Sequence, residues 1–390
     1  MQPYGPRERD GVAVRPVGRA VRSRDASPAP PMTPAPPTAR PDPGRARGPA
    51  ARRVLVTGVS GFIGTALACA LHARGAVVVG VTRDAARLAG RARRLPVGVD
   101  LVACALDTPE ACARLVEGTS PDCIVHLSSL VSGSRDLDLV TGTFAANLAS
   151  TVFLMDAAAR SPTARFVTAG SLEEPEAGVA PSSPYAASKA AAAVYARLYA
   201  ASGALEIAHA RIAMAYGPGQ DDLSKLVPHV TSSPHAGRAP RIASGRRRAD
   251  WVYIDDVVEA LVRLVEMPDP PASMPVGTGR LHSVAEVVDT LVRLHGGTVR
   301  AAFGAREDRA NEPAPRANAS EAARALGGWR AAVDLETGLA RTLAAFRRTA
   351  PVRSARRTAP AHAVPARVEP VSASLAVPGP PVATAARALR

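Results

Sequence analysis

The stretch Val54-Leu55-Val56-Thr57-Gly58-Val59-Ser60-Gly61-Phe62-Ile63-Gly64 decides the fold. It reads as a short apolar strand that ends in a glycine-rich turn and opens into a helix over residues 65–73. Gly58 permits the tight turn after the strand. Gly61 lets the backbone approach a pyrophosphate with no side chain in the way, and Gly64 lets the helix lie close to the strand. The helix N-terminus offers free N–H groups and a partial positive charge to an anion. Gly58, Ser60, Gly61, Phe62, Ile63 and Gly64 are therefore the candidate phosphate-binding residues of a dinucleotide site. A glycine triplet is also the pattern of an ordinary turn, so its surroundings must support the reading.

Outward from this turn, strand and helix patterns alternate, which predicts a doubly wound parallel sheet of the α/β class. Strands are expected at 54–57, 76–81, 99–104, 123–127, 165–169 and 205–212. Helices are expected at 85–92, 108–116, 139–159 and 185–201. Thr108 is a candidate cap, with Pro109 at the first helical position. Past Gly217 the alternation loosens; helical patterns at 257–264, 284–294 and 321–326 predict a smaller C-terminal lobe. The expected cofactor part is 51–215 and the expected substrate lobe 216–348.

Residues 1–50 and 349–390 are crowded with Pro, Arg, Ala and Ser, and are expected to be disordered tails. They also explain the net charge of +14. The first tail has nine Arg against four acids and the last has six Arg against one acid, which leaves +4 on the remainder. That distribution points away from a specific nucleic-acid face. Cys69, Cys104, Cys112 and Cys123 lack metal-type spacing and predict free thiols in a reducing compartment, hence a cytoplasmic protein. No apolar run reaches the roughly 18–20 residues of a membrane span, so no membrane partner is expected.

Tyr185 and Lys189 are four apart on a predicted helix and so share a face. A phenol is a poor acid or base at neutral pH, with an ordinary pKa near 10. A neighbouring ammonium at ~4 Å favours the phenolate by up to about 4 kcal/mol at an effective dielectric of 20. That would bring the tyrosine toward a working pH. Ser171, 14 residues earlier, follows the strand at 165–169, and strand C-terminal ends are where ligands sit in such sheets.

The glycine turn, Ser171 and Tyr185-Ala186-Ala187-Ser188-Lys189 together resemble the extended short-chain dehydrogenase/reductases, in their epimerase/dehydratase branch. The resemblance covers about residues 53–348. It includes Pro121-Asp122-Cys123-Ile124-Val125-His126-Leu127, Arg211 with Tyr216-Gly217-Pro218-Gly219, Asp250-Trp251-Val252-Tyr253-Ile254-Asp255-Asp256, and Leu326-Gly327-Gly328-Trp329. It implies a Rossmann-type fold and an NAD(P)-dependent oxidoreductase or epimerase with a Ser-Tyr-Lys site. Ser171 would hydrogen-bond the reacting oxygen and Lys189 would also hold the nicotinamide ribose. Asn147 resembles the family's structural asparagine and counts among the cofactor-site candidates; a satisfied surface Asn is the alternative.

Gly170-Ser171-Leu172-Glu173-Glu174 resembles the GSxEE segment of sugar-nucleotide 4-ketoreductases. Glu173 stands where 4,6-dehydratases carry a base, but Leu172 replaces the usual Asp; otherwise the two acids are a solvated loop feature. An acid after the second strand would favour NAD; Thr82 and Arg83 stand there, and arginine suits the 2′-phosphate of NADP. Asp84 keeps NAD open. The implied substrate is a nucleotide-linked sugar, and a homodimer is the implied assembly. The substrate half departs from the family pattern at Met214 and Ala249, where diphosphate-binding Asn and Arg are usual; Arg246, Arg247, Arg248, Arg306 and Arg309 are candidate replacements. Open alternatives are a 4,6-dehydratase, a reductase of another keto metabolite, and a non-catalytic NADP sensor.

Overall fold

A computed structural model of the chain describes residues 52–83, 94–235, 238–297, 300–308 and 314–349. The expected tails, the helix at 85–92, Asp84 and Arg309 lie outside the described residues.

The glycine turn joins strand β1 (Arg53–Thr57) to helix α1 (Phe62–Ala73), so the helix starts three residues before the expected position. Next come β2 (Val77–Thr82), β3 (Asp100–Ala103), α2 (Pro109–Thr119), β4 (Cys123–His126), α3 (Leu139–Ala159), β5 (Arg165–Ser171), α4 (Pro184–Ala201) and β6 (Glu206–Ile212). Thr108 caps α2 through the N–H of Ala111, as its sequence position implied.

The strands lie in the order β3-β2-β1-β4-β5-β6-β9, every pair parallel. Strand β9 (Ser273–Val276) is the seventh and was not expected; Pro275 sits in it at the sheet edge, where a missing N–H is tolerated. Side chains alternate across β1. Val54 and Val56 pack with Leu67 and Leu71 of α1, and Leu55 packs on the other face with Leu154 of α3 and Phe166. Both faces are thus covered, which is why the strands read as continuous apolar runs. Chain direction across the sheet reverses between β1 and β4, and that switch point opens a crevice at their C-terminal ends.

The C-terminal lobe contains an unanticipated second sheet, in which β8 (Arg248–Tyr253) lies between β7 (Met214–Tyr216) and β10 (Leu281–Ser283). Helices α5 (Leu226–His235), α6 (Ile254–Glu266), α7 (Val284–Leu294), α8 (Ala319–Ala325) and α9 (Leu335–Thr349) complete it. Asp250, buried in β8, accepts from the N–H groups of Thr278, Gly279 and Ala317 and from the Thr278 hydroxyl. Asp256 accepts from the N–H groups of Ala332 and Val333.

One expectation needs amending. Helix α3, at 21 residues, is long and apolar enough by length and composition to cross a membrane. It packs as a flanking helix beside α2 and α4 and buries Asn147, Ser150 and Thr151.

Candidate active site

The turn after β1 has the geometry its glycines imply. Gly58 has φ +66°, a conformation glycine adopts without strain. A Cβ on Gly64 would stand 2.2 Å from the carbonyl oxygen of Gly58, so α1 lies against the turn closer than any side chain allows. Gly61 is the N-cap of α1 and makes no side-chain capping bond, and no acid occupies the first turn. The helix therefore presents uncapped N–H groups without a competing carboxylate, which fits the pyrophosphate of a dinucleotide. Ser60 Oγ lies 3.1 Å from Thr82 Oγ1, tying the turn to the end of β2. Arg83 follows as an exposed residue.

Across the switch point, Thr57 Oγ1 accepts from the N–H groups of Leu127 and Ser128 at 3.1 and 3.2 Å. Its own proton then points to His126 Nδ1 at 2.8 Å, which places the imidazole proton on Nε2. Burial holds His126 far below its ordinary range, at about 3, and the nearby Lys189 charge adds to this.

Asn147 is buried at the centre of a π-helical turn, Phe144–Ala149, within α3. Its Oδ1 accepts from Leu130 N and Ser129 Oγ at 2.7 and 3.0 Å. Its Nδ2 donates to Leu130 O and Ser188 Oγ at 3.1 and 2.9 Å. Ser188 Oγ in turn donates to the carbonyl of Tyr185 at 2.8 Å. All four hydrogen-bonding positions of the amide are filled by protein, which corrects two expectations. Asn147 is not a surface residue, and its amide has no capacity left for direct cofactor contact; it fixes the loop after β4 and the first turn of α4.

Ser171, Tyr185 and Lys189 converge where β5 ends beside α4. Tyr185 is half-buried and close enough to Ser171 for its hydroxyl to influence the phenol. Lys189 is buried, its Nζ donating to Ala169 O at 2.8 Å and standing 5.9 Å from the Tyr185 ring centroid. The expected lowering of the phenol by this ammonium is opposed by burial. Burial pushes Tyr185 well above its ordinary range; the Ser171 hydroxyl opposes this, and the Glu173 and Glu174 charges reinforce it. Burial also lowers Lys189 to about 8, against the pull of Glu174. Desolvation is thus the largest influence on both groups.

The two acids after Ser171 part company. Glu173 pairs with Arg247 of the C-terminal lobe, Oε1 to Nη2 3.3 Å. Glu174 is buried, not solvated. Its Oε1 accepts the Ser171 N–H at 2.7 Å, and His209 Nε2 lies 3.1 and 3.0 Å from its two oxygens. Neither this pairing nor the role of Thr57 was drawn from the sequence. The available signal was a histidine inside the apolar run Ile207-Ala208-His209-Ala210.

Such a site can exchange a proton with a substrate oxygen beside a dinucleotide. Comparison with known proteins agrees with the class. The model of the NAD dependent epimerase/dehydratase family matches residues 54–277. The UDP-glucose 4-epimerase of Mycolicibacterium smegmatis is 31% identical over 326 residues, covering 76% of this chain and 98% of the relative. A dTDP-glucose 4,6-dehydratase of Streptomyces griseus is 28% identical over 308 residues, covering 75% and 93%. The structure of Thermus thermophilus UDP-glucose 4-epimerase in complex with NAD superposes with a TM-score of 0.68 at 25% identity, covering 76% of this chain and all of that one. The chain belongs to the NAD-dependent epimerase/dehydratase family and is an enzyme of the nicotinamide-dependent oxidoreductase type.

Proposed function

We propose that the protein acts at a carbon of a nucleotide-linked sugar as a 4-ketoreductase or 4-epimerase. The convergence of Ser171, Tyr185 and Lys189 at the switch-point crevice carries this reading. The sugar-nucleotide relatives supply its substrate class. A bound nicotinamide dinucleotide supplies hydride exchange with that carbon. Tyr185 exchanges the proton of the substrate oxygen, Ser171 orients that oxygen, and Lys189 holds the cofactor ribose and a positive charge beside the phenol.

Dehydration ranks last. Leu172 replaces one proton-transfer acid, and Glu173, the candidate base, is engaged by Arg247. Arg246, Arg247 and Arg248 stay candidates for the diphosphate-binding cation that the sequence lacks at Ala249. The deciding experiment is incubation with a panel of nucleotide sugars and their 4-keto forms, following NADPH absorbance and product mass. Reduction or isomerisation supports the reading. Loss of one water without NADPH consumption would make it a dehydratase.

The finer cofactor choice rests on Arg83, exposed after the last residue of β2, with no acid in the preceding position. NADPH should bind more tightly than NADH, and Arg83→Ala should remove the difference; equal affinities in the wild type refute it. For assembly, Val140 and Phe144 on α3 and Val194, Tyr195 and Leu198 on the adjacent α4 leave an exposed apolar face that suits a homodimer. Both trimmed tails and a cytoplasmic location remain part of the same reading.

A further inference from the structure

Glu174 is a buried carboxylate that the chemistry above does not use. Burying a charge is costly unless hydrogen bonds compensate it, and an apolar residue would fill the position at no such cost. The molecule makes a specific place for it. A Cβ on Gly170 would stand 2.3 Å from His209 Nε2 and 2.5 Å from Glu174 Oε1, so only glycine admits the couple. A carboxylate only accepts, so His209 donates through Nε2 and pins both oxygens. Arg211 Nε stands 3.9 Å from Oε2. On the outer side a cavity of about 220 Å³, bordered by Arg197, Arg211 and Ser273, leaves room for the carboxylate to swing toward solvent. It is held inward instead, on the N–H of Ser171.

We propose that Glu174, gripped by His209, is a positioning residue: it fixes Ser171 and supplies the negative charge behind the Tyr185–Lys189 pair. The proposal rests on the Ser-Tyr-Lys reading. Lys189 needs such a charge, because it is a buried ammonium whose hydrogen bond runs to a neutral carbonyl, Ala169 O. The direction of the influence agrees, since the Glu174 charge favours the proton on both Lys189 and Tyr185. The other charged or titratable groups around the pair are Glu173, tied to Arg247, and His126 from β4, with His209 and Arg211 behind Glu174.

Glu174→Gln keeps the shape and an acceptor oxygen for the Ser171 N–H while removing the charge. The chain has only two lysines, Lys189 and Lys225, so protein labelled with ¹³Cε-lysine yields two titration curves, and Lys225→Arg assigns them. The expected wild-type midpoint of Lys189 is about 8. In Glu174→Gln it should fall, and the pH–rate profile should move to lower pH. Turnover should drop about tenfold, equivalent to roughly 1.4 kcal/mol, with KM little changed. If the Gln variant does not fold, His209→Ala releases the same carboxylate and should lower the same midpoint. A folded variant with the wild-type Lys189 midpoint overturns the proposal. The titration needs no substrate: a shifted midpoint without turnover of any nucleotide sugar faults the substrate reading and leaves this one standing.

Discussion

Burial, reinforced by the Glu173 and Glu174 charges, favours the neutral phenol of Tyr185. It is therefore set up first as a proton donor, which suits reduction of a carbonyl. Tyr185→Phe should lower turnover by about a hundredfold or more, the usual scale of a lost acid–base group, while the dissociation constant for NADPH stays unchanged. His126 offers a second test at this scale. Its folded pKa lies below its unfolded value, so the neutral ring contributes stability that is complete above pH 6.5. That stability is lost as pH falls from 6.5 toward about 3. The melting temperature should therefore drop between pH 7 and pH 4.5 more steeply in the wild type than in His126→Gln.

Among the elements, the β1–turn–α1 unit is the one whose atoms are most tightly placed. Gly64→Ala puts a methyl 2.2 Å from a backbone oxygen, a clash that no rotamer relieves. The expected cost is about 1–3 kcal/mol of stability, read by denaturant unfolding, together with a large loss of cofactor affinity by calorimetry. This unit was legible in the sequence because glycine spacing reports backbone contacts directly. So were α2, through its Thr-Pro start, and the Tyr185–Lys189 pair, through helical spacing. Three of the missed strands share a cause. Strands β7, β9 and β10 have three or four residues each, too short to show an alternating pattern, and one holds a proline. Glu174 was misread because two adjacent acids look like a solvated turn. Nothing local tells that His209, 35 residues on, receives the second of them.

As a whole molecule, the enzyme has its chemistry where the two lobes meet, and that predicts what can be removed. A chain trimmed to residues 52–349 should fold and bind cofactor with the affinity of the full chain; loss of folding on trimming either tail would contradict this. The apolar face of α3 and α4 should hold two copies together, so light scattering should report twice the chain mass of 40.2 kDa. Phe144→Arg combined with Leu198→Arg should halve that value.

The two buried aspartates of the C-terminal lobe have a consequence for how the protein is made. Asp250 is bonded early by Thr278 and Gly279 but takes its last donor from Ala317, and Asp256 takes both of its backbone donors from Ala332 and Val333, some 67 to 77 residues further along. While the chain leaves the ribosome, both carboxylates are completed only after nearly the whole described sequence has emerged. The nucleotide-binding strands can assemble early, but the lobe that closes over them must wait for its last segments. A message truncated near codon 310 would thus yield a nascent chain in which Asp250 lacks its Ala317 donor and Asp256 has neither of its backbone donors, a natural substrate for quality-control proteolysis.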